Sequence, residues 1–413
     1  MKWLQSVNEI KVSLDFGQEV VEVGKLALKE RQIYFEYDTS FILRGLEISP
    51  LKMPLKRGLY QFKTSFFENL PGVFNDSLPD GWGRLLFDRF ARTHGVLPQE
   101  ITPLDRLAHI GEQGLGALRY VPDHSLKEPS QVIQLERLAQ QAHDVLSGTA
   151  DDVLAELIAL NGSSAGARPK ALVGIHQQED QILHSTQDLP EGYTPWMVKF
   201  SNTQDGVDAG AIEYVYALMA KQAGIAMPEV RLFTTNKSPG YFAIQRFDCI
   251  DDHRYHMHTA CGLLHTDFRT PALDYEDLIN LTSILTKDIH EVEKMYRLAV
   301  FNVLAHNRDD HAKNFSYLMD RHGRWMLSPA YDLTFSSGPG GEQSTLVMGE
   351  GKHPNIKCLL QLAQGAEIAE AKAKNIIQAT QHSLNQWPCL AKQFGVAPSN
   401  IDLIQTKISA AWA

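Results

Sequence analysis

The sequence predicts a mixed α+β protein in which strands open the chain and helices dominate its last third. Val12, Leu14 and Phe16 alternate with polar residues, as expected for a strand that is buried on one face. The same alternation returns at residues 33–37, so the opening is predicted to be a β-meander. From residue 275 onward, apolar residues recur at the three- and four-residue spacing of buried helices.

Composition describes an ordinary water-soluble chain. The 413 residues are 44% hydrophobic and 21% charged, enough for two or three packed domains. The net charge of −10 argues against a nucleic-acid-coating surface, because phosphate neutralisation needs clustered Lys and Arg. The first 16 residues lack the apolar core of a signal peptide, and no apolar run approaches membrane-spanning length. Four cysteines without C-x-x-C spacing fit reduced thiols, so we expect a cytoplasmic protein without membrane partners.

A small α+β domain is predicted through about residue 122. After the meander, a polar loop leads into a helix at Arg84 to Thr93, and a second short helix is expected at Leu104 to Ile110. The segment 121–131 carries two prolines and several charges, which is typical of a linker.

A loop of small residues follows two predicted helices at about 135–146 and 151–160. It runs from Asn161 to Lys170 and leads into a strand at Ala171 to Ile175. Small residues let backbone N–H groups surround phosphate oxygens, and the basic residues at the end of the loop add positive charge. The loop lacks Walker A spacing, so a flexible surface turn is the alternative interpretation.

A lysine and a glutamate then occur in the order that a phosphate-positioning ion pair requires. Lys199 lies in an apolar strand predicted at Trp196 to Phe200, and Glu213 lies on a helix that begins near Asp208. Kinases use such a strand-to-helix pair to position phosphates. The alternative is a lysine that extends to the surface and a solvated glutamate.

Two further strands are predicted at 228–233 and 241–247. The second includes Gln245 and Phe247, and three histidines at near-alternating spacing follow in residues 253–258. We expect these histidines to lie on the solvated face of a strand rather than to bind a metal, because no acidic or thiol partner is suitably spaced.

The stretch from His306 to Asn314 orders carboxylates and amides as phosphoryl-transfer enzymes do. Asp309 and Asn314 are separated by four residues, the spacing at which a kinase catalytic loop places its base and a metal-binding amide. A helix that is predicted to be buried nearly all round precedes this stretch. Strands at 315–319 and 325–327 would form a hairpin that returns Asp332 beside Asn314, close enough to share a divalent ion. The alternative is a solvated polar loop that caps a helix.

These stretches together resemble the HipA family of serine/threonine kinases, the toxins of bacterial type II toxin–antitoxin pairs. The resemblance extends across nearly the whole chain and rests on Leu78-Pro79-Asp80-Gly81, the Ser163 to Lys170 loop, Lys199, Gln245-Arg246-Phe247-Asp248, Asn307-Arg308-Asp309-Asp310-His311-Ala312-Lys313-Asn314 and Pro329-Ala330-Tyr331-Asp332. It implies a protein-kinase-like (PI3/4-kinase-like) two-lobed catalytic region. The implied boundaries are an N-terminal α+β domain at 1–122, an N-lobe with the phosphate loop and hinge at 123–248, and a mostly helical C-lobe at 249–413.

Carried over residue by residue, the resemblance implies a role for each motif position. Asp309 would be the catalytic base, with Asn314 and Asp332 as Mg²⁺ ligands. Lys199 would hold the α- and β-phosphates of ATP. The other ATP contacts would come from the phosphate loop, the adenine hinge and a residue near the ribose: Ser164, Ala165, Gly166, Ala167, Lys170, Gln245, Phe247 and Asp248. The supporting residues would be Glu213, His311 and Lys313.

A serine of the phosphate loop is also implicated, because members of the family are switched off by its phosphorylation. Ser163 aligns best with that serine, and the adjacent Ser164 is the second choice. Asp310 departs from the pattern, since it adds a second carboxylate beside the base. Asp309 is preferred because its spacing to Asn314 matches.

The resemblance therefore implies an ATP- and Mg²⁺-dependent toxin kinase that phosphorylates a protein of translation, such as an aminoacyl-tRNA synthetase. Its partner would be a small helix-turn-helix antitoxin similar to HipB, and DNA would be contacted mainly through that partner. Two alternatives stay open. One is a small-molecule phosphotransferase of the same superfamily, and the other is an ATP-binding, pseudokinase-like module that binds a partner.

Overall fold

A computed structural model describes most of the chain. The described residues are 6–126, 131–148, 154–163, 166–179, 181–184, 189–202, 205–236, 238–250 and 253–412. The chain divides into two units. The first comprises Met1–Asp205, Ala243–His258 and Met319–Gly323, and the second comprises Gly206–Phe242, Thr259–Leu318 and Arg324–Ala413.

Strands and short helices alternate in the first half of the chain: β1 Glu9–Asp15, β2 Val20–Lys29, β3 Gln32–Tyr37, α1 Thr39–Arg44, β4 Leu59–Gln61, α2 Gly72–Asn75, α3 Gly81–Thr93, α4 Pro103–Ile110, β5 Leu118–Val121, α5 Leu135–Ser147, α6 Leu154–Asn161, β6 Lys170–His176, β7 Ile182–Leu183 and β8 Tyr193–Lys199. Short strands and longer helices follow: α7 Ala209–Gln222, β9 Val230–Phe233, β10 Tyr241–Gln245, β11 Cys249–Ile250, β12 His253–Arg254, β13 His256–Thr259, α8 Ala260–Leu264, β14 Leu273–Asp274, α9 Tyr275–Thr286, α10 Ile289–Leu304, β15 Ser316–Met319, β16 Trp325–Leu327, β17 Thr345–Leu346, α11 Ile356–Gly365, α12 Glu370–Leu384, α13 Trp387–Gln393 and α14 Pro398–Ala410. This mixture confirms the predicted α+β class.

A five-stranded sheet in the first unit confirms the predicted meander. Its strand order is β4-β3-β2-β1-β5, and the apolar residues of β1 that alternate in the sequence, Val12 and Leu14, are fully buried. The predicted helix at 104–110 also forms. It begins at Pro103 because the Thr102 side chain accepts from the Asp105 N–H in a capping box.

A second sheet in the first unit carries the strand that follows the predicted phosphate loop. Its strands β7, β6, β8 and β10 are neighbours in that order. β6 and β8 are antiparallel, and their register places Lys170 directly opposite Lys199. Two lysines from separate motifs of the sequence therefore share one cross-strand position.

Helices make up most of the secondary structure of the second unit. Every residue of α10 from Leu298 to Leu304 is buried, as predicted for this helix. The predicted hairpin also forms, since β15 and β16 are neighbours in one sheet and the Ser328 N–H donates to the Ser316 C=O at 2.9 Å. Among the residues that the structure describes, no helix combines the length and the apolar composition needed to cross a membrane.

The expectation of solvated histidines is wrong for His256 and His258, which are fully buried. His256 Nε2 lies 2.8 Å from the Ile48 carbonyl oxygen, and His258 Nδ1 lies 2.6 Å from an Asp76 carboxylate oxygen. Both partners are about 200 residues away in the sequence. The local alternation of polar and apolar residues cannot reveal that a segment so distant in the sequence buries these side chains.

Candidate active site

The predicted catalytic loop, residues 307–314, begins where α10 ends. His306 adopts a left-handed φ of 55°, which turns the chain out of the helix. The Asn307 N–H donates to the Asn302 C=O at 2.9 Å, and Asn307 Nδ2 donates to Asn302 Oδ1 at 3.0 Å. Asn302 therefore joins the buried helix to the loop through both its main chain and its side chain.

Asp309 and Asp310 are adjacent in the sequence but occupy opposite environments. The Asp309 side chain is 57% exposed, whereas Asp310 is only 1% exposed. His311 Nε2 lies 4.0 Å from Asp309 Oδ1. Of the two carboxylates, Asp309 is the one that an acceptor hydroxyl could reach, and a general base must be within such reach.

Asp310 accepts four hydrogen bonds. Its Oδ2 accepts from the Tyr275 hydroxyl at 2.7 Å and from Gln343 Nε2 at 2.9 Å. Its Oδ1 accepts from the Ser344 and Thr345 N–H groups at 2.9 and 3.2 Å. Burial raises the pKa of the Asp310 carboxyl to about 6, because desolvation of the charged form outweighs these hydrogen bonds. The second carboxylate is thus a buried anchor of the loop and not an added charge on its exposed surface.

The predicted metal ligands Asn314 and Asp332 lie on segments that Tyr331 joins. The Tyr331 hydroxyl donates to the Lys313 C=O at 2.7 Å. Asn314 Nδ2 donates to the Asp309 C=O at 2.7 Å, so the amide Oδ1 is the atom suited to a cation. Asp332 has a φ of 57°, a left-handed conformation that is uncommon for a residue other than glycine.

The donor atoms of this pair fit a hard divalent cation. Mg²⁺ prefers oxygen ligands and usually binds through one or two protein groups together with water and substrate phosphates. Within the described ranges, no group of three or more His, Cys, Asp or Glu side chains could hold a metal ion. Two protein ligands completed by phosphate oxygens are therefore the arrangement that these residues suit.

The supporting residues His311 and Lys313 both contact Phe268. Lys313 Nζ lies 4.5 Å from the centre of the Phe268 ring, in cation–π contact. The His311 ring meets the same phenyl ring at a centroid distance of 5.3 Å. Lys313 is buried, so this contact fixes its ammonium group against Phe268.

The predicted phosphate loop, residues 161–170, belongs to the first unit, and its described residues are held by both main-chain and side-chain groups. Ser163 is buried, and its Oγ accepts from the Leu115 N–H at 2.7 Å. The Gly166 N–H donates to the Asp80 carboxylate, and the Gly166 C=O accepts from the Trp82 N–H at 3.0 Å. The family resemblance implies that Ser164 and Ala165 contact ATP, but both lie outside the described residues.

Glycine is required at position 81, where α3 meets the phosphate loop. A Cβ on Gly81 would lie 2.6 Å from the Gly166 carbonyl oxygen and 2.8 Å from the Ala167 Cα. Gly81 also has a left-handed φ of 41°. Both the contact and the backbone conformation therefore exclude a side chain without a shift of the loop.

The predicted phosphate-binding lysines are both buried. Lys170 is 5% exposed and Lys199 is 9% exposed. Glu213 on α7 is 2% exposed, so the alternative of a solvated glutamate is wrong. The face of α7 that carries Glu213 is buried because its neighbours Ala217 and Ala220 are small enough for close packing.

The predicted hinge begins at Gln245, the last residue of β10. Gln245 and Phe247 are half-buried, and the Asp248 carboxylate between them and β11 is already engaged. It accepts from Arg246 Nε at 3.0 Å, from Arg246 Nη2 at 2.7 Å and from the Gly116 N–H at 2.6 Å. Burial alone would raise the pKa of the Asp248 carboxyl, but the Arg246 guanidinium and the Gly116 amide hold it below its usual value.

Two family descriptions match the chain. The HipA N-terminal domain matches residues 17–121, and the HipA-like C-terminal domain matches residues 162–387. The second match alone covers more than half of the 413 residues. The chain belongs to the HipA family. The predicted family is thereby confirmed.

Curated relatives and a solved structure are similar to this HipA-family chain. Y4dM of Sinorhizobium fredii, a candidate kinase, is 26% identical over 232 residues, which are 51% of this chain and 56% of Y4dM. Y4mE, a candidate kinase of the same organism, is 27% identical over 282 residues, which are 63% of each protein. The matches span less than two thirds of either relative's length.

The solved structure is the complex of HipA, HipB and operator DNA from the Shewanella oneidensis MR-1 toxin–antitoxin system. A chain of that complex aligns with a TM-score of 0.70 at 17% identity, covering 97% of this chain and 95% of that chain. At this identity the likeness shows a shared fold.

Sequence reasoning missed the residues that bond to the predicted catalytic loop from distant parts of the chain. Tyr275, Gln343 and Thr345 lie 35, 33 and 35 residues from Asp310 and belong to no motif. The Asp274 and Asp277 capping box could have placed Tyr275 at the first position of α9. It could not have shown which group the tyrosine hydroxyl meets.

Proposed function

We propose that this HipA-family protein is an ATP- and Mg²⁺-dependent serine/threonine protein kinase. The observation that carries the proposal is the catalytic loop. There an exposed Asp309 stands beside the buried Asp310, and Asn314 is hydrogen-bonded to the Asp309 main chain. A kinase needs this combination, because the base must reach the acceptor hydroxyl and the metal-binding amide must keep a fixed position relative to the base.

The chemistry follows from where the proton and the charge go. A carboxylate oxygen of Asp309 would accept the proton of the acceptor hydroxyl. The hydroxyl oxygen would attack the γ-phosphorus of ATP, and the bond between that phosphorus and the oxygen of the β-phosphate would break. Because the transition state is loose, orientation of the hydroxyl matters more than the basicity of Asp309. Mg²⁺ bound by Asn314 Oδ1 and Asp332 would neutralise charge that develops on the phosphate oxygens. His311 and Lys313 would support the loop.

ATP would be held by the phosphate loop and the strands that follow it. The proposed contacts are Ser164, Ala165, Gly166, Ala167, Lys170 and Lys199 for the phosphates, Gln245 and Phe247 for the adenine, and Asp248 near the ribose. The register that sets Lys170 directly opposite Lys199 supports this assignment, because it places two basic residues from separate motifs on one face of the β6–β8 pair. Glu213 would act as a supporting residue.

Self-inactivation by phosphorylation of the phosphate loop is part of the proposal, with Ser163 as the acceptor and Ser164 as the second choice. The buried Ser163 Oγ accepts from the Leu115 N–H at 2.7 Å. A phosphate group with nearly two negative charges does not fit that buried position. Its attachment would therefore displace the loop.

The cellular role is inferred from the family. We propose a growth-inhibiting toxin that acts on a component of translation, such as an aminoacyl-tRNA synthetase. The Shewanella oneidensis complex contains HipB and operator DNA, which supports a HipB-like helix-turn-helix antitoxin as the partner here. The net charge of −10 favours DNA contact mainly through that antitoxin.

The test is incubation of the purified protein with γ-labelled ATP, with Mg²⁺ or with EDTA, followed by peptide mapping. Mg²⁺-dependent label on Ser163 or Ser164 is the expected result. Label that passes only to an added small-molecule acceptor would favour the small-molecule phosphotransferase instead. ATP binding without any transfer would contradict the kinase proposal and favour a partner-binding module.

A further inference from the structure

Residues 343–345, here called the anchoring segment, lie behind the catalytic loop and bind its main chain. Their side chains donate to three carbonyl groups of the loop. Gln343 Nε2 donates to the Asn307 C=O at 3.3 Å, and Ser344 Oγ donates to the Arg308 C=O at 2.9 Å. Thr345 Oγ1 donates to the Asp310 C=O at 2.5 Å.

The Asp309 carbonyl has a different donor from its neighbours. It accepts from Asn314 Nδ2 at 2.7 Å, so the proposed base and the proposed metal ligand are linked directly. The residues before and after Asp309 are tied to the anchoring segment. Because these flanking residues are held in place, the exposed Asp309 side chain leaves the loop in a fixed direction.

Asp310 binds the same segment through its side chain as well. Its carboxylate accepts from Gln343 Nε2 and from the N–H groups of Ser344 and Thr345. Residues 343–345 are thus the donors, and Asp310 is the acceptor, in every one of these bonds, including the bond from Thr345 Oγ1 to the Asp310 C=O. A buried carboxylate that loses such donors is costly, which makes the contact cooperative.

The network closes on itself through two helices. The Tyr275 hydroxyl of α9 donates to Asp310 at 2.7 Å and accepts from Asn302 Nδ2 of α10 at 2.9 Å. Asn302 Oδ1 accepts from Asn307 Nδ2 at 3.0 Å, and the Asn307 C=O accepts from Gln343 Nε2. A closed ring of hydrogen bonds, here called the ring, therefore joins Asn302, Tyr275, Asp310, Gln343 and Asn307. Two of its members, Asn307 and Asp310, lie in the loop on either side of Asp309.

We propose that Asp310 is a positioning residue for phosphoryl transfer, which acts through Tyr275 and the anchoring segment to hold the Asp309 carboxylate in its reactive direction. This inference rests on the proposed kinase function. It assigns no contact with substrate or nucleotide to Asp310. Loss of the ring should therefore lower the rate of transfer at saturating ATP and leave the KM for ATP nearly unchanged.

The test compares two pairs of matched variants. Tyr275→Phe removes the hydroxyl that joins Asp310 to Asn302, and Tyr317→Phe removes another fully buried hydroxyl, which contacts Thr282 at 2.8 Å and lies outside the ring. Thr345→Val removes the bond to the Asp310 C=O. Its control, Thr380→Val, removes a buried threonine bond to the Ile376 C=O.

Steady-state phosphorylation and amide hydrogen exchange of residues 307–314 are measured for all four variants. We expect kcat to fall roughly tenfold or more in Tyr275→Phe and Thr345→Val, with the KM for ATP within about twofold of wild type. Amides of the catalytic loop should exchange faster in the same two variants. The two control variants should match wild type in kcat and in the exchange of this loop.

Equal kcat values in test and control variants would overturn the inference while leaving the kinase proposal in place. Equal losses in all four variants would also overturn it, because a general loss of packing would then explain the effect. If wild type transfers no phosphate under any condition, the kinase proposal fails by itself. Hydrogen exchange would then decide whether the ring holds the loop, and unchanged exchange in Tyr275→Phe and Thr345→Val would count against it.

Discussion

The catalytic loop and the phosphate loop carry most of the proposed site residues, and the contacts that hold them differ. The catalytic loop is held mainly by side chains, since the buried Asp310 collects four donors and residues 343–345 bind the loop carbonyls. In the phosphate loop, each contact described above uses a main-chain N–H group, and the bond from the Trp82 N–H to the Gly166 C=O joins main chain to main chain.

This difference teaches which substitutions each loop should tolerate. A loop held by side chains is sensitive to loss of a hydroxyl, an amide or a carboxylate, because the buried partner is left unsatisfied. A loop whose backbone packs closely against another backbone is sensitive to addition of a Cβ at the point of contact, because that close approach depends on glycine. Three predictions test this contrast.

Of the three, the largest effect is expected for Asp332→Ala, which removes a proposed Mg²⁺ ligand. Loss of a carboxylate ligand should lower phosphoryl transfer by roughly 10³-fold and abolish the Mg²⁺ dependence of nucleotide binding. The measurement is ATP titration with and without Mg²⁺, together with the transfer rate. Asp402→Ala, which removes an exposed aspartate of α14, should behave as wild type. Unchanged Mg²⁺ dependence in Asp332→Ala would remove this residue from the metal site.

The second prediction concerns the pH dependence of stability that Asp310 contributes. Its pKa is raised from 3.8 to about 6 in the folded protein, so the folded state holds the proton more tightly than the unfolded state does. The contribution of this group is fully present below about pH 3.8 and is lost as the pH rises through about 6. At about 1.4 kcal/mol per pKa unit, the loss is on the order of 3 kcal/mol.

Urea unfolding of wild type and Asp310→Asn between pH 4 and pH 8 measures this difference. The free energy of unfolding of wild type, taken relative to the variant, should fall as the pH rises. The difference between the two proteins excludes the contribution of every other carboxylate to the free energy of unfolding, because both proteins contain those groups. A constant difference across this range would mean that Asp310 keeps an ordinary pKa and that burial does not control it.

The smallest effect is expected for Gly81→Ala beside the phosphate loop. Its Cβ would lie 2.6 Å from the Gly166 carbonyl oxygen, so the loop must shift. ATP binding should weaken roughly tenfold, or ~1.4 kcal/mol. Gly95→Ala is the matched control, because Gly95 also has a positive φ but nothing lies within 4 Å of its added Cβ. Equal ATP affinities in the two variants would show that main-chain contact with α3 does not hold the loop in place.

Much of the architecture could be predicted from the sequence because the signals are local. The alternation at Val12 and Leu14 predicted a strand, and the apolar stretch from Leu298 to Leu304 predicted a buried helix, and both formed. The hairpin before Asp332 was predictable because two short strands flank a turn. The HipA motifs predicted the family for the same reason, since each motif is a run of neighbouring residues.

The surroundings of the site could not be predicted, because they depend on contacts between distant residues. Asp310 looked like an extra charge beside the base, and only the fold shows that Tyr275 and Gln343 bury and satisfy it. The β6–β8 register that sets Lys170 opposite Lys199 depends on strand pairing across an intervening strand. Burial of Glu213 likewise depends on how other elements pack against α7. Sequence spacing identifies candidate groups, whereas their exposure follows from tertiary packing.

The most direct measurement is single-turnover phosphoryl transfer by wild type and Asp309→Asn, with ATP affinity measured on the same samples. Asn keeps the size of the side chain and removes its ability to accept the hydroxyl proton. We expect the rate to fall by roughly 10²–10⁴-fold, while the Kd for ATP in the presence of Mg²⁺ stays within about twofold of wild type. Near-normal transfer by Asp309→Asn would contradict the assignment of the base and, with it, the proposed catalytic role of this loop.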